Sequence, residues 1–172
     1  MKKLIIFIST CCLLYSCDKY TYFDLPQDKI PLLKNNDIVY FQDSASSKID
    51  TFCLDVRNYR QINNENGSFE HVDIYYNTFK IKTTFFILRV SSASVDGAKI
   101  YLDNDLFWQT TTYNSKKNNL TLQGVKYPTV DVLHINTYLF LDSIPNVVYY
   151  TYTNGIIRYE YKDGRVYDLV SK

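Results

Sequence analysis

The stretch Val147–Val170, VVYYTYTNGIIRYEYKDGRVYDLV, limits what this chain can fold into more than any other. It reads as strand, Asn154-Gly155 turn, strand, Asp163-Gly164 turn, strand. An Asn-Gly or Asp-Gly pair supplies the positive φ that a tight hairpin reversal needs. In the middle strand Ile157, Tyr159 and Tyr161 share one face and Arg158, Glu160 and Lys162 the other. That alternation of period two marks an antiparallel sheet with one wet face. Asn66-Gly67 and Asp96-Gly97 repeat the signal upstream, so four of only five glycines stand in hairpin signals.

Seventeen Tyr and ten Phe accompany many Val, Ile and Thr, the residues that fit a pleated, half-buried surface. Further strands are expected in KIDTFCLDV, HVDIYYNTFKI, TTFFILRVSS, AKIYLDNDLFW, LTLQGVKY and TVDVLHINTYLFLD. Nothing beyond the N-terminal apolar run sustains a helical period. Eight to ten hairpin-connected strands predict an all-β domain, an antiparallel sheet that curls into a barrel or half-barrel of lipocalin-like or lipoprotein-carrier-like form. A β-sandwich is the alternative.

The chain opens MKKLIIFISTCCLLYSC, with Lys2 and Lys3 ahead of an apolar run from Leu4 to Tyr15. These are the n-region and h-region of an export signal. The run is too short for a membrane helix, which needs roughly 17 to 25 apolar residues. Leu14, Tyr15, Ser16 and Cys17 resemble a bacterial lipobox, with Tyr15 bulkier than the usual residue. The resemblance implies diacylglyceryl transfer to the Cys17 thiol, cleavage between Ser16 and Cys17, and a mature chain that starts with an acylated cysteine. An ordinary cleaved signal or a buried apolar strand are the other readings. The expected organisation is a signal peptide over residues 1–16, an acylated cysteine and tether over 17–36, and one β domain over 37–172. Pro26 and Pro31 discourage regular structure in the tether, although a short helical turn fits near Leu32–Lys34.

Of four cysteines, Cys11 and Cys12 leave with the signal and Cys17 carries lipid, so Cys53 has no intramolecular partner. In an apolar strand candidate it packs as a small hydrophobe. Without Lys2 and Lys3 the 19 basic residues become 17 against 18 acidic, with no basic run. That argues against a nucleic-acid partner, because phosphate binding needs clustered Lys and Arg.

Chemical motifs are sparse. His71 and His134 lie far apart, with no Cys, Asp or Glu at metal-ligand spacing. Asp103, Asn104 and Asp105 lack the glycine and distal glutamate of a calcium loop and suit a turn. No nucleophile elbow, P-loop or dinucleotide fingerprint occurs. No cofactor is expected. The adjacent aromatics Tyr75-Tyr76, Phe85-Phe86, Phe107-Trp108 and Tyr149-Tyr150 would place one ring inward and the next outward on a strand. Sheet packing accounts for them, and a face for glycan or peptide contact is the other reading.

The chain resembles small lipoproteins of Bacteroidetes bacteria, most described only as proteins of unknown function. The likeness rests on the lipobox, LLKNNDIVYFQDSASSKIDTFCL, GVKYPTVDVLHI and the C-terminal element with Tyr149, Tyr150, Gly155, Ile156, Ile157, Asp163, Gly164, Tyr167 and Leu169. Tyr167 stands where many relatives have Trp. The resemblance implies an envelope address and carries no catalytic residue, and the outer membrane is the membrane expected here. Exported proteins of this group can bear O-glycans on Asp-Ser/Thr-aliphatic tripeptides, which nominates Ser44 in DSA and Ser143 in DSI.

The expectation is therefore a membrane-anchored, non-enzymatic lipoprotein whose β domain binds an envelope protein or a small apolar ligand. A carrier of a hydrophobic molecule is the alternative. A cryptic hydrolase is the third, and would need a cleft joining His71 or His134 to Ser and Asp.

Overall fold

The computed structural model describes residues 21–63, 67–79, 84–92, 98–102, 113–135 and 144–171. Eleven strands form one sheet that does not close: β1 Tyr22–Phe23, β2 Ile38–Asp43, β3 Ile49–Asn63, β4 Gly67–Thr78, β5 Thr84–Ser91, β6 Ala98–Leu102, β7 Tyr113–Leu122, β8 Val125–His134, β9 Val147–Thr151, β10 Gly155–Glu160 and β11 Val166–Ser171. Their order is β6-β5-β4-β3-β2-β11-β10-β9-β8-β7, with β1 beside β4. Two five-stranded meanders, β2 to β6 and β7 to β11, are thus joined by the antiparallel pairing of β2 with β11, Phe41 opposite Leu169. The all-β, antiparallel expectation holds, and a single open sheet replaces the sandwich alternative.

The sheet is curled. In sheet order β4 and β10 stand four places apart, roughly 19 Å in a flat sheet. Yet the Ile156 N–H donates to Tyr76 Oη across 2.8 Å. Phe85 of β5 likewise comes within 6.4 Å, ring centre to ring centre, of Tyr159 on β10. The concave face is therefore closed over an aromatic core of Phe41, Phe52, Tyr76, Tyr150, Tyr159 and Tyr167, all nearly or fully buried. Aliphatic residues such as Val39, Leu54, Ile74 and Leu88 fill between them.

The turn pairs behave as their chemistry demands where they are described. Gly155 and Gly164 hold φ of 69° and 91°, and the Asp163 carboxylate accepts from the Arg165 backbone N–H at 3.1 Å. Asp96-Gly97 lies outside the described residues. At Gly155 an added Cβ would meet Tyr76 Oη and Leu33 Cδ1. Gly155→Ala is therefore expected to destabilise the fold by about 2–3 kcal/mol, combining left-handed backbone strain with loss of the Tyr76 hydrogen bond. Urea unfolding would measure it, and a loss near zero would mean that the two faces are not in contact there.

Three differences from the sequence reading have clear causes. LTLQGVKY is not one strand but the turn of the β7–β8 hairpin, where Gln123 and Gly124 both take positive φ, 48° and 79°. Gln lacks the short side chain that makes Asn or Asp easy to recognise there. Second, eleven strands exceed the eight to ten expected, because that hairpin adds one and β1 another. Third, the expected tether is packed on the domain from Thr21 onward. The Ser68 N–H donates to Thr21 O, and Leu25, Pro31 and Leu33 are buried. The helical turn falls at Gln27–Lys29 rather than near Leu32–Lys34.

Candidate functional site

β3 and β4 are long, and at the end where β3 begins they and β5 frame a pocket of about 500 Å³. Its lining is Lys48, Ile49, Asp50, Thr51 and Phe52, with Thr78, Phe79 and Phe85 opposite. Phe85 reaches it through a β-bulge. Tyr76 pairs with Phe86 but Asn77 with Thr84, so β5 carries one extra residue, Phe85, at this step. A bulge re-aims a side chain, and here Phe85 stacks on Phe52 at 5.7 Å and 19°. Ile49 and Phe79 stand at the rim, each more than half exposed.

One corner is polar. Lys48 Nζ lies 3.5 Å from Asp50 Oδ1 and donates to Tyr167 Oη at 3.3 Å. The Tyr159 hydroxyl donates to Asp50 Oδ2 at 2.9 Å. The hydrogen bond to Tyr167 and the Asp50 charge raise the Lys48 pKa above its ordinary value, keeping it cationic. Burial, with Asp50 next, pushes the Tyr159 hydroxyl up, so it stays a donor. Tyr159 and Tyr167 stack at 4.9 Å beneath this corner. The arrangement suits a ligand with an apolar or aromatic body and a hydrogen-bonding end. Among the described residues the lining contains no His, Ser or Cys.

A second cluster occupies the opposite face of the same strands. Asp73 is buried and accepts Arg89 Nε and Nη2, both at 2.7 Å. Tyr59 Oη donates to Asp73 at 3.2 Å, and the Arg89 guanidinium lies 5.0 Å from the Tyr101 ring. Burial, with the Asp73 charge next, raises the Tyr59 pKa to about 12. His71 stacks on Tyr59 at 5.2 Å, is buried, and its Nδ1 has no hydrogen-bond partner among the described residues.

Burial and the Arg89 charge lower the His71 pKa, so the fold holds neutral imidazole. The unfolded chain then binds the extra proton. This contribution to stability is complete above the ordinary histidine value of 6.5 and is lost as pH falls through the lower folded value. The depressed carboxyls of Asp43 and Asp163 act lower, below 3.8. His71→Gln is expected to flatten the fall in urea midpoint between about pH 7 and 5. An unchanged slope would assign it to other groups.

The residues singled out in the sequence scatter. His71 lies in β4 and His134 in β8, on different meanders. Cys53 is a half-buried free thiol. Ser44 is exposed in the β2–β3 turn, where its N–H donates to Val166 O at 2.8 Å. Asp43 of the same tripeptide is buried and its carboxylate is held by Ser46 and Ala45. Ser16, Cys17, Ser143, the Asp103–Asp105 run and Phe107-Trp108 lie outside the described residues. Of the adjacent aromatics, Tyr76 points to the core and Tyr75 lies under Arg57, 4.3 Å from its guanidinium. Sequence reasoning missed the pocket, whose only local sign is the pairing of Phe52 and Phe85 with a nearby lysine. No family model matches the chain, and neither the curated proteins nor the solved structures compared with it match.

Proposed function

We propose that this chain is an envelope lipoprotein, held to the outer membrane through acylated Cys17, whose β domain binds a ligand in the Lys48–Phe85 pocket and does not catalyse. The observation that carries the binding role is an aromatic-floored pocket of about 500 Å³ with a Lys48–Asp50 ion pair at its edge. Ligand sites are typically concave, mostly apolar and provided with a few placed polar groups. Among the described residues the lining has no imidazole to act as a base, and Lys48 and Asp50 are engaged with each other and with Tyr167 and Tyr159, which supports binding over turnover. The address rests on the lipobox alone, and two or more acyl chains are what hold a soluble domain at a bilayer.

The filled concave face bears on the carrier alternative. Phe41, Tyr76 and Tyr159 occupy the space a lumen would need, so cargo would sit at the end of the sheet, in the same pocket. Native mass spectrometry of the chain lacking Cys17, after exposure to an envelope extract, tests the pocket. A small adduct that Phe79→Asp abolishes is the expected result. Absence of any adduct would remove the pocket reading. The address is tested separately by Cys17→Ala in the native host, which should abolish both fatty-acid labelling and membrane association. Persistence of both would overturn the anchor.

A further inference from the structure

β3 runs well past its partners on one side. Its pairing with β2 ends at Cys53, and the residues just before β2 follow it only to Val56, whose N–H bonds to Asn35. From Arg57 to Asn63 it pairs only with β4 on the described structure. β4 is released by β5 at His71 and strapped by β1 at Ser68 and Phe69. The result is a projecting three-stranded blade. The strap is firmly set: the Ser92 hydroxyl donates to Phe23 O at 2.8 Å and the Leu25 N–H to Glu70 at 2.8 Å.

Both faces of the blade carry large side chains left in solvent. Cross-strand register puts Tyr22, Ser68 and Ile62 in one row, with Tyr22 68 % and Ile62 65 % exposed. On the other face Phe23 stacks on Phe69 at 4.9 Å, and Phe23 and Tyr59 are 40 % and 37 % exposed. The nearby charges cancel locally, since Arg60 is paired with Asp24 and sits 5.6 Å from the Tyr22 ring. Four of the nine exposed large hydrophobics among the described residues are therefore on this one blade.

The covalent chain says what meets it. Cys17 stands four residues before Thr21, the residue that bonds to Ser68. Four peptide steps span at most about 15 Å. We infer that the blade is a membrane-contact surface, with Tyr22 and Ile62 on one face and Phe23 and Tyr59 on the other seated among lipid headgroups beside the anchor. This rests on the acylation of Cys17 proposed above. Tyrosine favours the membrane–water interface, and amphipathic surfaces bind there by burying apolar area. A tether this short also gives a high effective concentration, so a weak surface suffices. The pocket then faces away from the bilayer, since Ile49 and Ile62 are separated by 13 residues along β3, about 43 Å of extended strand.

The test uses the full acylated protein, purified from its host as Cys53→Ser with either Ile62→Cys or Ile49→Cys. Each new thiol carries an environment-sensitive fluorophore, and the protein is reconstituted into phosphatidylcholine vesicles containing a nitroxide-labelled lipid. The expected result is a blue shift and quenching at position 62, neither at position 49, and no change on adding salt. If the protein floats with the vesicles but position 62 stays in water, the contact is wrong, the anchor stands, and the blade is free for a protein partner. If the protein does not float, the anchor reading fails and the contact falls with it. Should Ile62→Cys not fold, the exposed neighbour Gln61→Cys serves in its place.

Discussion

Tyr159→Ala is expected to cost about 3–5 kcal/mol of unfolding free energy, the range for emptying a large buried aromatic site. Tyr159 is fully buried on β10, and its ring packs against those of Phe41, Phe85, Tyr161 and Tyr167. Phe41 lies on β2 and Phe85 on β5, so one truncation loosens contacts that hold the first meander to the second. Tyr159→Phe separates the two roles of the side chain. It keeps the ring and removes the donor to Asp50, for a loss of about 1–3 kcal/mol. Urea unfolding followed by near-ultraviolet circular dichroism measures both. If the alanine variant lost less than the phenylalanine variant, the ring would not be where the two halves meet.

The second large effect belongs to the opposite face of the sheet. Asp73→Ala should cost about 3 kcal/mol, because it strands the Arg89 guanidinium beside the Tyr59 and Tyr101 rings with no carboxylate to receive it. The low end of the range for broken buried pairs applies, since the Arg89 side chain keeps 28 % exposure. Asp73→Ala combined with Arg89→Met should be less destabilised than Asp73→Ala alone, as nothing charged is then left without its partner. Equal losses in the two variants would show that packing, not the ion pair, sets the energy.

The parts of this fold that were legible in the sequence are those set by neighbours along the chain. The Asp163-Gly164 turn needs only the Asp163 carboxylate and a residue free to take positive φ. The alternation Tyr159, Glu160, Tyr161 shows which side is dry. The pairing of β2 with β11 left no comparable trace, because strand partners are chosen by the total packing of the concave face and not by any local signal. The pocket was hidden for the same reason. Lys48 meets Tyr167 across 119 positions of sequence. Phe85 turns inward only because β4 and β5 slip register beside it. β1 was invisible because a two-residue strand has no periodicity to read.

The join between β2 and β11 also dictates an order of events. In a chain made from its N-terminus, β2 is among the first strands synthesised, and β11 follows every other strand of the sheet. Until β11 arrives, the first meander presents an unpaired edge and an uncovered aromatic face, the conditions under which strands join to the wrong chain. Such late, distant pairing also makes for slow folding, on the order of milliseconds to seconds. The last strand of this sheet to be made is the keystone at its centre, so the two meanders stay unjoined until β11 has been added.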